Sequence, residues 1–259
     1  MAHVDPDFTL KLVETPEELA AAQRLRYRVF VEELGGGGAL VDHAARLEKD
    51  RFDPFFDHLV LIDNALECDP IDRVVGVYRL LRDDKAAEIG QFYSEDEYDL
   101  SVLKNSGRKL LELGRSCLLP AYRGGSAMFH LWNGLAAYVF EHEIEILFGV
   151  ASFHGTDVEA LKQPLSLLHH RHLAPEDLRA RAQSAHYQSM NLVDEGEIDR
   201  RKAMLEVPAL IKAYLRLGGF VGDGAYVDNA FNTTDVCLIM DTERLNAKQK
   251  AIYTKGLQS

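Results

Sequence analysis

The strongest constraint on the fold is a strand–helix–strand pattern in the middle of the chain. The apolar runs KLLELGRSCLL at 109–119 and EILFGVAS at 145–152 have the length and composition of buried strands. Between them, Met128, Leu131 and Leu135 recur at helical spacing. A helix that connects two such strands is typical of a parallel crossover. The pattern therefore predicts a mixed α/β fold in which these two strands are parallel neighbours.

A first helix is marked by its own start signals. Thr15 is its predicted N-cap, with Pro16 in the first turn and Glu18 completing a capping box. We expect this helix to end at Leu34, before the glycine run at 35–38, which predicts a loop. The remaining predicted elements are the strands HLVLID (58–63), RVVGVYRLL (73–81) and DVCLIMD (235–241) and the helix VPALIKAYLRLGG (207–219).

The composition indicates a globular, acidic protein. The 259 residues are 47% hydrophobic and 27% charged, which predicts one domain over 1–259, with a polar, helical excursion at about 160–206. The formal net charge of -12 is opposite to the basic surface of nucleic-acid-binding proteins, so no nucleic-acid partner is expected. No apolar stretch reaches the roughly 20 residues of a membrane span.

The expected location is the cytoplasm. The amino-terminal segment carries acids rather than a basic lead and an apolar core, so it predicts no export signal. Cys68, Cys117 and Cys237 are widely spaced and odd in number, which predicts buried thiols in a reducing compartment rather than a disulfide framework.

Two opposite charges interrupt the apolar strand at 109–119. On a regular strand Glu112 and Arg115 would point to opposite faces, because side chains alternate. Gly114 lies between them, and a bulge there would bring both charges to one face, as bulges beside active sites do. The pattern favours a functional pair, and an edge-strand salt bridge is the alternative.

The same strand is followed by a turn suited to an anion. Its residues are Arg123, Gly124, Gly125 and Ser126, which lead into the helix. Free backbone N–H groups at a helix N-terminus bind phosphate or pyrophosphate, and the arginine adds a positive charge.

A further charged group is predicted near the first helix. Arg26 and Phe30 are four residues apart and share a helix face with apolar neighbours. Such a guanidinium either pairs with buried acids or binds a substrate carboxylate. Asp50 and Asp53 in EKDRFD are candidate partners.

Two other patterns are weaker. Ser152, His154 and Asp157 stand too close in sequence to converge as a hydrolase triad. The histidines at 169, 170 and 172 lack a helical pair of ligands, so no metal site is predicted.

Several motifs together resemble one family. LRYRVFVEEL, EKDRFD, YRLL, LELGRSCLLPAYRGG, LFGVASFHGTD, PALIKAYLRLGG and FNTTD are similar to the bacterial ornithine N-acyltransferases of ornithine-lipid synthesis, over roughly 20–245. Acyl-homoserine-lactone synthases are similar at Arg26, Phe30, Asp50, Asp53, Arg79, Glu112 and Arg115. The chain lacks the tryptophan that those synthases have soon after the first helix, which favours the ornithine group. Both groups have the GNAT N-acyltransferase fold, with a mixed sheet and splayed parallel strands.

The resemblance implies transfer of a 3-hydroxyacyl group from acyl carrier protein to the α-amine of L-ornithine. Glu112 is the implied base, directly or through a water, with Arg115 setting its position; alternatively Glu112 is structural. The thioester would enter between the strands at 109–119 and 145–152, with its phosphate at 123–126. Backbone N–H groups near Leu118 and Leu119 would stabilise the oxyanion. No resident cofactor is implied, because acyl-phosphopantetheine is the donor substrate.

The resemblance also implies how the acceptor is held. Arg26 or Arg79 would bind its carboxylate, and the wider substrate-binding set includes Phe30 and Ser152. An acid would bind the side-chain ammonium, and the candidates left open are Asp50, Asp53, Asp228 and Asp235. A buried structural ion network is the alternative for the set around Arg26.

The basic region between 169 and 202 has three interpretations. It docks the acidic carrier protein, it rests peripherally on the inner membrane, or it is a solvated surface. Its cations are Arg171, Arg179, Arg181, Arg200, Arg201 and Lys202. The alternative functions are acylation of another amino acceptor, such as a different amino acid or S-adenosylmethionine, and a catalytically silent acyl-binding module.

Overall fold

A computed structural model describes residues 5–229 and 231–245 of the chain. Its contacts divide the chain into two compact units. The first unit contains the described residues 5–89 and 113–142, and the second contains 90–112, 143–229 and 231–245. The single domain over 1–259 stays a prediction.

The strands and helices are as follows. The strands are β1 (Phe8–Leu12), β2 (Asp57–Asp63), β3 (Val74–Arg82), β4 (Tyr98–Asp99), β5 (Leu110–Leu118), β6 (Ile146–His154), β7 (Arg181–Ala182), β8 (Tyr187–Gln188), β9 (Phe220–Val221), β10 (Ala225–Asp228) and β11 (Thr233–Asp241). The α-helices are α1 (Pro16–Arg26), α2 (Asp83–Ile89), α3 (Ser101–Lys104), α4 (Ala127–Glu141), α5 (Val158–His172), α6 (Arg200–Glu206) and α7 (Ala209–Arg216). A π-helix (Tyr27–Glu33) continues α1.

The first unit packs helices on both faces of its strands. Its strand order is β1-β2-β3-β5, with β1 antiparallel to β2 and β2 antiparallel to β3. Val60 of β2 packs with Ala22 and Leu25 of α1. The preceding residue, Leu59, lies on the opposite face of the sheet and contacts α4, because strand side chains alternate. A Cβ at Gly134 of α4 would lie 2.5 Å from Leu10 and 3.0 Å from Leu59, so glycine permits this close approach.

The first helix begins and ends where the sequence predicts. Thr15 Oγ1 accepts a hydrogen bond from Glu18 N at 3.3 Å, which confirms the N-cap. The Glu18 carboxylate accepts from Glu14 N at 2.9 Å and also interacts with the backbone N–H of Thr15, the second contact of the predicted capping box. After Tyr27 the helix widens into the π-helix, whose C-cap is Leu34.

The second unit is a mixed sheet. The first residues of β5 pair with β6 in parallel, from Leu110↔Ile146 to Glu112↔Phe148, which confirms the predicted parallel neighbours. Strand β6 is antiparallel to β11 along its whole length, and β11, β10 and β8 follow in antiparallel order. Leu167 of α5 packs with Ile198 and with Ala203 of α6.

The region at 160–206 is less uniform than predicted. It contains most of α5 and all of α6, but also β7, which pairs with β4, and β8, which pairs with β10. The excursion is therefore not wholly helical, and short strands tie it to the rest of the second unit.

The cysteines do not share one environment. Cys117 and Cys237 are buried, as predicted, but Cys68 is exposed, so the prediction of a buried thiol is wrong for Cys68. None of the helices within 5–229 and 231–245 has the length and apolar content that crossing a bilayer requires.

Candidate active site

A buried network of ion pairs lies in the first unit. Arg26, the last residue of α1, and Arg79 of β3 have no exposed surface. Asp53 Oδ1 accepts from Nη1 of both arginines, at 2.6 Å and 2.9 Å. Glu48 pairs with Arg26, and Asp50 Oδ2 lies 2.5 Å from Arg79 Nη1. Each of these two buried guanidiniums is thus held by carboxylates of the same unit.

The loop that supplies the acids is shaped by their own side chains. Asp50 Oδ1 accepts from the backbone N–H groups of Phe52 and Asp53, at 2.9 Å and 3.1 Å. This is the local turn that aspartate favours. Gln23 of α1 then donates through Nε2 to Asp53 Oδ2 at 2.9 Å, which fixes the second carboxylate against the helix.

Arg115 joins this network at its more exposed end. Its backbone φ is +49°, a left-handed conformation that costs a non-glycine residue about 1–2 kcal/mol. The irregular backbone expected at Gly114 therefore falls one residue later. Arg115 Nε lies 3.2 Å from Glu48 Oε1, and Nη2 lies 3.5 Å from Asp50 Oδ2. The guanidinium carbon is 5.9 Å from the Phe30 ring centroid.

The charges of the network compensate one another. Burial by itself would raise the pKa of Asp53, but Arg26 and Arg79 hold that pKa well below its usual value. Burial likewise opposes the ionised form of Asp50, and Arg79 and Arg115 keep its pKa low. The set contains three arginines and three carboxylates, which supports the structural interpretation of its buried members. Contact of Arg26 or Arg79 with an acceptor carboxylate stays a prediction.

The turn before α4 also has internal partners. Arg123 pairs with Glu33 at 2.6 Å, and its Nε and Nη2 donate to the Leu118 carbonyl oxygen at 3.1 Å and 3.0 Å. Leu119 N–H donates to Val75 O at 3.0 Å, so that group is already engaged.

The glycines of this turn leave its backbone approachable. Gly124 has φ +79°, and no atom of residues 5–229 or 231–245 lies within 4 Å of where its Cβ would be. Ser126 is the N-cap residue of α4 and makes no side-chain capping bond. The turn therefore has the open backbone that an anion site needs, while its arginine is committed to Glu33.

In the second unit, Glu112 is a buried carboxylate with several donors. It is 1% exposed. Its Oε2 accepts from Tyr93 N at 2.8 Å, and its Oε1 accepts from Ser94 N at 2.7 Å and from the Ser94 hydroxyl. Backbone N–H groups can only donate, so both side-chain oxygens of Glu112 act as acceptors here. These contacts orient Glu112, and the predicted role of Arg115 in setting its position stays a prediction.

The three remaining predicted acceptor-site residues lie on adjacent strands of the second unit. Asp235 of β11 is directly opposite Ser152 of β6. On its other side Asp235 is opposite Tyr226 of β10, and Asp228 stands two residues further along β10. Residues two apart on a strand share a face, so Asp228 and Asp235 lie on the same face of this sheet.

Acids of the second unit neutralise much of the basic region. Glu195 pairs with Arg171 at 2.5 Å and lies 3.7 Å from Arg200. Arg181 pairs with Asp223, and Arg179 Nε donates to the Ala174 carbonyl oxygen at 2.7 Å. The exposed residues Arg200, Arg201 and Lys202 stand together at the start of α6.

The sequence reasoning missed two residues of these clusters. Glu48 stands two positions before Asp50 in an acidic segment, so a signal for it was present. Ser94 is the second residue of a short 3-10 turn (Tyr93–Asp96) whose amides donate to Glu112, 18 residues after Ser94. No local spacing rule connects a turn with a strand residue at that distance.

Comparison with known proteins places this geometry in a wider group. The family described as an acetyltransferase (GNAT) domain matches residues 25–133. The chain is 60% identical over 258 residues to the L-ornithine N(alpha)-acyltransferase of Rhodobacter capsulatus, with 100% of this chain and 99% of that protein covered. It is 42% identical over 246 residues to the Brucella abortus protein of the same name, with 94% and 88% covered.

A solved structure supports the architecture. The CoA-dependent acyl-homoserine lactone synthase BjaI, with SAM and isopentyl-CoA, matches with a TM-score of 0.53 at 12% identity, covering 96% of this chain and 90% of that one. Together with the family match, this likeness confirms the predicted GNAT fold.

Proposed function

The chain belongs to the L-ornithine N(alpha)-acyltransferase family, and we propose that it transfers a 3-hydroxyacyl group from acyl carrier protein to the α-amine of L-ornithine. The product would be lyso-ornithine lipid, the first intermediate of ornithine-lipid synthesis. The observation that carries the proposal is the high identity to a relative of that name along the whole chain.

The reaction has simple chemical requirements. The neutral α-amine attacks the thioester carbonyl, a C–N bond forms, and the C–S bond breaks as the tetrahedral intermediate collapses. The nitrogen loses one proton, and the departing thiolate of the carrier gains one. The enzyme must therefore accept a proton, stabilise an oxyanion and hold both substrates.

Glu112 is the proposed proton acceptor, directly or through a water. Its support is a buried carboxylate whose orientation is fixed by Tyr93 and Ser94. Glu112→Gln keeps the shape and removes the acceptor charge, so we expect kcat to fall by about 100-fold or more with little change in KM. A variant of unchanged melting temperature and nearly unchanged kcat would leave Glu112 a structural residue.

The donor phosphopantetheine is proposed to meet the turn at 123–126. Its support is the open backbone at Gly124 and the start of α4. Because Arg123 is paired with Glu33, binding of the phosphate by Arg123 requires that pair to open. Glu33→Gln would release the guanidinium and is expected to lower KM for the acyl donor.

Acyl carrier protein is the proposed donor protein, and its docking surface is proposed to include the start of α6. Positive charges at a helix N-terminus oppose the helix dipole, so helix stability does not explain Arg201 and Lys202 there. Arg201→Glu should raise KM for acyl carrier protein and leave KM for ornithine unchanged. Lys162→Glu, an exposed charge reversal on α5, is the control. An equal effect of both variants would contradict specific docking. Peripheral contact with the inner membrane remains part of the proposal.

One assay tests the whole proposal. The purified chain is incubated with 3-hydroxyacyl carrier protein and L-ornithine, and thiol release and lipid mass are measured together. N-(3-hydroxyacyl)ornithine with matching thiol release is the expected result. Product formed with another amine, such as S-adenosylmethionine, and not with ornithine would overturn the acceptor. Absence of thiol release with every amine would indicate a silent acyl-binding module.

A further inference from the structure

An acidic group surrounds Asp235 on one face of the second unit's sheet. The hydroxyl of Tyr98 lies 2.9 Å from the carbonyl oxygens of both Gly224 and Asp235, which ties β4 to the strands β10 and β11. This contact places the segment with Asp96 and Glu97 beside the same strands. Four acids thereby come within electrostatic range of Tyr226: Asp96, Glu97, Asp228 and Asp235.

Burial and neighbouring acids both act on Asp235 and Tyr226. Burial raises the pKa of Asp235 to about 6, and the charge of Asp228 adds to that rise, whereas the hydroxyls of Ser152 and Thr233 oppose it. Burial also raises the pKa of Tyr226, and the charges of all four acids add to it.

Asp235 itself has an unused acceptor. Its side chain is 4% exposed. Its Oδ2 accepts from Thr233 Oγ1 at 3.1 Å. Its Oδ1 is buried and, within the part of the chain that the structure describes, has no donor at hydrogen-bond distance, although the Ser152 hydroxyl on the opposite strand is near enough to lower its pKa. A buried carboxylate oxygen without a donor is unfavourable in the unliganded protein, and a bound cationic donor would remove that penalty.

We propose that Asp235 is the binding site for the side-chain ammonium of the acceptor amino acid. The site takes a primary alkylammonium, which offers three donors and a positive charge. Asp228 adds to the negative environment, and Ser152, which is exposed on the directly opposite strand position, marks the open side of the site. The identification of the ligand as ornithine rests on the proposed function.

The other candidate acids do not offer such a site. Asp53 already accepts from two fully buried arginines, and Asp50 pairs with Arg79. A ligand ammonium at either position would have to displace an arginine that belongs to a charge-balanced set. Asp235 can accept a cation without breaking an existing ion pair.

The test compares ornithine with norvaline, which has the same carbon chain without the terminal amine. Binding of each amino acid to the protein without acyl donor is measured by titration calorimetry. Acylation of each amino acid is measured with one acyl donor. In Asp235→Asn, we expect the Kd and KM for ornithine to rise about 10-fold or more, with values for norvaline unchanged. Asp228→Asn, which leaves Asp235 in place, should give a smaller rise in the same direction.

The controls separate this inference from the function it rests on. Asp194→Asn removes an exposed acid from the same unit and should leave both ligands unaffected. If the native chain does not acylate ornithine, the proposed function fails. If it does, but Asp235→Asn and Asp228→Asn bind ornithine as the native chain does, the ammonium site is refuted. Equal losses for ornithine and norvaline would also refute it, since they would reflect general damage to the site.

Discussion

Asp235→Asn is expected to make the unliganded protein more stable at pH 8 while weakening its binding of ornithine. Burial, reinforced by the charge of Asp228, raises the pKa of Asp235 from 3.8 to about 6. The folded protein therefore binds this proton more tightly than the unfolded chain does. The resulting stabilisation is complete below pH 3.8 and is lost as the pH rises through about 6. Asparagine keeps the shape and cannot ionise.

The magnitude follows from the size of the pKa shift. A rise of about 2 units, at 1.36 kcal/mol per unit, corresponds to roughly 3 kcal/mol of unfolding free energy. Between pH 4 and pH 8, the native protein should lose this amount relative to Asp235→Asn. For a chain of this size, the change equals about 6–12 °C in melting temperature.

The assay is thermal unfolding followed by circular dichroism at both pH values. The native protein, Asp235→Asn and the exposed control Asp194→Asn are compared under identical salt. Asp235→Asn should have a higher melting temperature than the native protein only at the higher pH. The control Asp194→Asn should have the same melting temperature as the native protein at both pH values. An Asp235→Asn variant whose difference from the native protein is the same at pH 4 and pH 8 would show that ionisation of Asp235 carries no cost.

Three further predictions concern stability. Asp53→Asn should lower the unfolding free energy at pH 7 by about 3–5 kcal/mol in urea denaturation, because it leaves two fully buried arginines short of a partner; a loss below about 1 kcal/mol would contradict this. Burial lowers the pKa of His58 to about 4, so the folded state should lose stability as the pH falls from 6.5 toward 4. His58→Gln should reduce that loss of unfolding free energy by roughly 3 kcal/mol, measured by urea denaturation at both pH values. Gly134→Ala should cost about 1–3 kcal/mol in thermal unfolding through overpacking, whereas Gly196→Ala, which meets no atom within 4 Å, should be nearly neutral.

Much of the fold could be predicted because its central elements are long and apolar. Strands β2, β3, β5, β6 and β11 and helix α4 were all expected near their observed bounds. Strand β1 was missed because FTLKL is short, and its partly polar pattern does not stand out in sequence. The π-helix was expected only as part of one continuous helix, since its apolar residues fit either pitch over a single turn.

The residues of the candidate site could be predicted from the sequence, but the ion pairs between them could not. Arg26 and Asp53 stood out as charges beside apolar runs, yet they are 27 positions apart and only the fold brings them together. The backbone irregularity was expected at Gly114, the residue with the least steric restriction. It occurs at Arg115, where a guanidinium held by Glu48 and Asp50 offsets the cost of the left-handed conformation.

The two buried aspartates show why residue type alone cannot assign a role. Asp53 lies between two arginines, so its pKa is low and its oxygens are already occupied. Asp235 is buried and lies near Asp228, so its pKa is high, and one of its oxygens has no donor among the described residues. A carboxylate of the first kind stabilises the protein in which it sits. One of the second kind destabilises the unliganded protein, and a bound cation that pairs with it can offset that cost, which makes Asp235 the better candidate for a substrate ammonium.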